Sequence, residues 1–121
     1  MKIYLVGHKL SGESLEFVNG FLYPPFKRTD ISDLIGYSSS SWRHVVVGPR
    51  QSVICSLLKE NGYHRYLSFT DGSDFLEHLE RSSDRYMPDF VFVYKKLPDM
   101  HGIELARRLR ETERKRKSVQ L

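Results

Sequence analysis

The chain has 121 residues, 40% of them apolar and 28% charged, with a formal net charge of +4. That length supports one domain with its own core and is short for two, and the composition is that of a soluble globular protein. No apolar run reaches the ~20 residues of a membrane span, and a single cysteine, Cys55, excludes an internal disulfide and a Cys-based metal site.

The opening Met1-Lys2-Ile3-Tyr4-Leu5-Val6-Gly7 lacks the length and the small-residue cleavage site of a signal peptide, so the cytoplasm is the expected compartment. Lys2 to Val6 reads as a short strand. Ser11-Gly12-Glu13 offers a helix start, and Leu15, Val18 and Leu22, flanked by Phe17 and Phe21, carry a helical period up to Pro24-Pro25. A short helix begins at Thr29 or Asp30, with Ile31, Leu34 and Ile35 apolar. The four serines from Ser38 to Ser41 read as a flexible connector, which divides the chain into an N-terminal segment, 1–43, and a core, 44–121. Trp42 beside it is either a partner anchor or a cover for the sheet.

Beyond the serines the pattern is regular. His44 to Val47 is a β-branched strand closed by Gly48-Pro49. Pro49 suits the first turn of a helix in which Val53, Ile54, Leu57 and Leu58 face inward, and Asn61-Gly62 stops it. Tyr63 to Phe69 is the next strand, followed by Thr70-Asp71-Gly72-Ser73, a turn rich in capping residues. Phe75, Leu76 and Leu79 mark a second helix that frays around Ser82-Ser83-Asp84. Phe90 to Tyr94 is apolar on both faces, as a central parallel strand is. A loop from Lys95 to Gly102 leads into a helix whose stripe is Ile103, Leu105, Ala106 and Leu109. Ser118 to Leu121 reads as the start of one more strand. Strands alternating with helices predict a parallel, doubly wound α/β sheet, with chemistry collecting at the carboxyl ends of its strands.

The stretch Pro88 to Glu111, PDFVFVYKKLPDMHGIELARRLRE, resembles the third strand, loop and third helix of response-regulator receiver domains. Pro88, Asp89, Pro98, Asp99, Met100 and Gly102 fit that pattern, and the resemblance runs back to about His44, covering roughly 78 residues. It implies a flavodoxin-like fold. Here that fold is incomplete, permuted (with Tyr4 to Val18 standing in for a fifth strand and helix) or completed by a second chain. It also implies a phosphate-accepting aspartate where Tyr94 stands, two metal-binding acids where Gly48 and Pro49 stand, and a loop aspartate where His101 stands. Phosphoryl transfer to a carboxylate needs a divalent cation held by oxygen ligands. Glycine and proline offer no side-chain oxygen, Arg50 repels a cation, and Tyr94 is a neutral phenol.

The expectation is therefore a pseudo-receiver: not an enzyme, without cofactor or metal, and regulating an output domain such as a transcription regulator. It would act through a homodimer or another signalling protein, as the N-terminal part of a longer chain. The vestigial site comprises Tyr94, Gly48 and Pro49 with Lys95, Lys96, Pro98, Asp99, Met100, His101 and Gly102, and the Tyr94 hydroxyl is expected to reach Lys95, Lys96 or water. A second reading rests on charge. Arg107, Arg108, Arg110, Arg114, Lys115, Arg116 and Lys117 against Glu111 and Glu113 give one helix end a net +5, which suits either a solvated helix terminus or contact with nucleic acid or an acidic partner. An enzyme of the same fold finds no Gly-rich phosphate loop and no nucleophile-base pair.

Overall fold

A computed structural model describes residues 1–8, 16–35, 44–82 and 87–119. The chain runs β1 (Lys2–Val6), β2 (Gly20–Leu22), α1 (Arg28–Ile35), β3 (His44–Val47), α2 (Gln51–Glu60), β4 (Tyr66–Phe69), α3 (Gly72–Arg81), β5 (Phe90–Tyr94) and α4 (Gly102–Val119). The strands form one all-parallel sheet in the order β2-β1-β5-β3-β4. β1, β3 and β5 therefore lie inside it. Their residues are buried on both faces, apart from the ends Lys2 and Tyr94, as a parallel sheet covered by helices requires.

Each face carries its own core. On one, Ile31 of α1 and Ile54 and Leu58 of α2 pack against Tyr4, Val46, Phe90 and Phe92. On the other, Phe75 and Leu79 of α3 and Leu105, Ala106 and Leu109 of α4 pack against Ile3, Val45, Val91 and Val93. Val53 and Ile103, expected to face inward, are instead 42% and 39% exposed. Each lies on the flank of its helix, outside the buried stripe of Ile54, Cys55 and Leu58 in α2 or of Leu105, Ala106 and Leu109 in α4. His44 is buried in a ring stack, 5.4 Å from Phe90 and 4.9 Å from Tyr63.

Three expected elements differ. Gly20 to Leu22 is a strand and not the end of a helix. It pairs with Tyr4 to Val6, and Asn19 fixes the junction by donating its N–H to Ile3 O at 2.7 Å and accepting the Ile3 N–H at 2.9 Å. The strand expected at Tyr63 begins at Tyr66, because the Tyr63 N–H still bonds back to Leu58 O at 2.9 Å and Gly62 takes φ +85° at the helix end. No strand opens at Ser118, since α4 continues to Val119; its run of cations is favourable near a helix C-terminus. Residues 9–15, 36–43 and 83–86, which include the serine run and Trp42, lie outside the described residues.

Candidate functional site

The carboxyl ends of β3 and β5 lie side by side, bringing Gly48 and Tyr94 together. A methyl at Gly48 would stand 2.5 Å from Tyr94 Cγ and 2.8 Å from its Cβ, so the ring occupies the space that any side chain at 48 would need. The Tyr94 hydroxyl donates to the Arg50 backbone carbonyl at 2.5 Å, and not to Lys95 or Lys96. Successive side chains on a strand point to opposite faces. Tyr94 turns toward α2 and Lys95 turns the other way. Burial pushes the Tyr94 phenol above its usual range, with Cys55 adding to the rise and Arg50 opposing it. Buried Cys55 is likewise held protonated by burial.

Lys95 crosses over the ends of β1 and β2. Its N–H donates to Val6 O at 2.9 Å, and its ammonium donates to the His8 carbonyl. The same ammonium lies 5.0 Å from the Tyr23 ring centroid and 5.6 Å from that of Phe21, and the two rings are themselves stacked. A cation over two aromatic faces is an attractive arrangement. Here it ties β5 to the far flank of the sheet.

The loop after Lys95 is built tightly. The Gly102 N–H closes onto Lys95 O at 2.7 Å, and a methyl at 102 would strike the Tyr94 carbonyl oxygen and stand 3.1 Å from Lys95 Cα. Lys96, Pro98 and His101 are exposed. Asp99 does something sequence reasoning missed. Its carboxylate accepts the Gly72 N–H at 3.0 Å, the Ser73 N–H at 2.8 Å and the Ser73 hydroxyl, so it caps α3 from 26 residues away alongside the local cap, Asp71. Met100 lies over Gly72, where a methyl would stand 2.8 Å from its Sδ.

Partial burial would raise the Asp99 carboxyl, but the bonds from Ser73 and Gly72 outweigh it and hold it below its ordinary value. A lowered folded-state pKa contributes stability above the unfolded value, near 3.9, and that contribution fades as pH falls through the folded one. Asp99→Asn should thus destabilise by about 1 kcal/mol at pH 7 and by progressively less below pH ~4. Urea melts at a series of pH values check this, and a pH-independent difference would contradict it.

The basic helix end is largely committed within the molecule. Arg107 pairs with Glu104 and Glu111, and Arg108 with Glu104; their hydrogen bonds hold the Glu104 carboxyl at about 2. Arg110 donates to Met1 O at 2.7 Å, Phe17 O at 3.0 Å, Asn19 Oδ1 at 2.7 Å and Glu113 at 3.2 Å. Arg116 donates to Leu79 O at 2.7 Å. Arg114 and Lys115 are exposed, and the Lys117 side chain lies outside the described residues. The groove beside Arg110, lined by Glu16, Phe17, Glu113 and Arg114, mixes both signs of charge and so does not match a polyanion.

No family model, curated protein or solved structure matches the chain. The geometry must then speak for itself. Among the described residues, no group of three or more His, Cys, Asp or Glu is placed to hold a metal ion, and no helix is long and apolar enough to cross a membrane. β2 carried no decisive local signal, because Val18, Phe21 and Leu22 fit a helical period as well as an extended one. Nothing local marked the partners of Lys95, Asp99 or Arg110.

Proposed function

We propose that this chain is a pseudo-receiver: a flavodoxin-like signalling module that acts by protein-protein contact or dimerisation, independently of phosphorylation, to regulate an output domain such as a transcription regulator. The sheet order supports the fold reading. From the β4 edge it runs β4-β3-β5-β1-β2, the 2-1-3-4-5 order of flavodoxin-like sheets, with the chain's first two strands in the fourth and fifth places. Tyr4 to Val6 thus falls in the fourth place and not, as expected, in the fifth, which β2 fills.

The observation that carries the functional reading is the Tyr94 ring seated against Gly48. Where a receiver would gather carboxylate oxygens around a cation, this strand end is packed with an aromatic side chain. Its hydroxyl is spent on a backbone carbonyl. Among Gly48, Pro49 and Tyr94 there is no carboxylate to accept a phosphoryl group, which favours the surfaces of the scaffold as its means of action.

The test is to incubate the protein with Mg²⁺ and a small phosphodonor, or the fluoride mimic of a phosphoryl group, then measure mass and light scattering. The expected result is an unchanged mass and an oligomeric state indifferent to the donor. A phosphorylated species would overturn the reading.

A further inference from the structure

β4 closes one side of the sheet and, among the described residues, pairs only with β3. Its hydrogen-bonding direction is fixed by the Gly48 N–H, which donates to Phe69 O at 2.8 Å. In a strand the N–H and C=O of one residue point the same way, and the direction alternates along the chain. Phe69 and Leu67 thus aim their backbone groups at β3, while Tyr66 and Ser68 aim theirs outward. Leu67 and Ser68 are exposed, Leu67 at 41%. The edge is also electrically polar: Arg65 precedes the strand, and Asp71 follows it where the chain bends after Phe69.

We propose that this edge pairs with the same edge of a second copy, antiparallel about a two-fold axis at Ser68, joining two five-stranded sheets into one. The register follows from the side chains. A two-fold perpendicular to the sheet keeps each face on its own side, so opposing residues must share parity and the centre must fall on a residue. Centring on Ser68 sets Leu67 opposite the partner's Phe69 and puts Arg65 at the end of the strand where the partner's Asp71 turns off, each contact occurring twice as an isologous interface requires. Ser68 then faces its own copy as a hydrogen-bonded pair, with the outward groups of Tyr66 available to the partner's Thr70. Centring on Leu67 instead would set Arg65 against the partner's Phe69 and leave Asp71 opposite Tyr63, losing both matches. Asp71 caps α3 with Oδ1, and its carboxylate has a second oxygen for an arginine.

This refines the dimerisation half of the function proposed above, and the two fail separately. A phosphorylated species would overturn that function and leave the strand pairing standing, whereas a dimer built elsewhere would do the reverse. The experiment is sedimentation equilibrium over a concentration series. Ser68→Pro removes an outward N–H where an edge strand tolerates proline, and should weaken dimerisation on the order of a hundredfold. Arg65→Asp opposes like charges and should weaken it about tenfold, less so at high salt. Under mild oxidation Ser68→Cys should give a disulfide-linked dimer, since Cα atoms of such a pair stand about 5.5 Å apart, and Ile103→Cys on α4 should not. A monomer at every concentration would sink the proposal. So would a dimer indifferent to both Ser68→Pro and Arg65→Asp, or Ile103→Cys cross-linking as readily as Ser68→Cys.

Discussion

Gly48→Asp should lower the unfolding free energy by about 3 kcal/mol, and adding Tyr94→Ala to the same chain should cost little more. The substitution drives a side chain into space held by Tyr94 Cβ and Cγ, and overpacking of a tight site costs about 1–3 kcal/mol. It also brings a carboxylate into a buried position, which adds a desolvation cost. Tyr94→Ala alone should cost about 2–3 kcal/mol through lost packing and the lost bond to Arg50 O. Because the two residues compete for one volume, a double-mutant cycle by urea denaturation should show a favourable coupling of about 1–3 kcal/mol. Additive effects would mean that the ring can swing away, leaving the position open to other side chains.

Arg110→Met should be nearly as damaging, at about 2–4 kcal/mol, whereas Arg108→Met on the same helix should stay within about 0.5 kcal/mol. The difference lies in the acceptors. Arg108 meets a half-exposed glutamate on its own helix, a contact worth little in water. Arg110 is only 21% exposed at its side chain and bridges Met1, Phe17 and Asn19, so its removal strands carbonyls from two distant segments. Glu113 shares in this. Burial would raise its carboxyl, but the Met1 amine and Arg110 hold it below the ordinary range, so the cluster loosens as acid protonates it. Equal denaturation midpoints for the two variants would remove Arg110 from this role.

What could be read from the sequence was whatever depended on neighbours along the chain. His44–Val47 and Phe90–Tyr94 fell where expected because a strand buried on both faces writes itself as an unbroken apolar run. The start of α3 was legible in Asp71, whose carboxylate caps Asp74 N–H. β2 was not. Val18, Phe21 and Leu22 fit a helical period as well as an extended one, and three residues carry too little pattern to decide it. Its strand character comes from pairing with β1 and from Asn19, contacts between segments about 16 residues apart. The same division holds at the strand ends. That Gly48, Pro49 and Tyr94 lack carboxylates is a property of the residues themselves. That the Tyr94 hydroxyl chooses Arg50 O, or that Lys95 reaches Phe21 and Tyr23, depends on how the chain returns across itself.

The register of β1 against β5, with Lys2 beside Phe90 and Val6 beside Tyr94, ties β1 to a partner made almost ninety residues later. On the ribosome, Tyr4 to Val6 can meet β2 early, but the side of β1 that pairs with β5 must wait until Phe90–Tyr94 has emerged. Contacts this remote in sequence slow folding and lengthen the exposure of sticky segments. A nascent chain of this design therefore keeps one side of its first strand open through most of its synthesis.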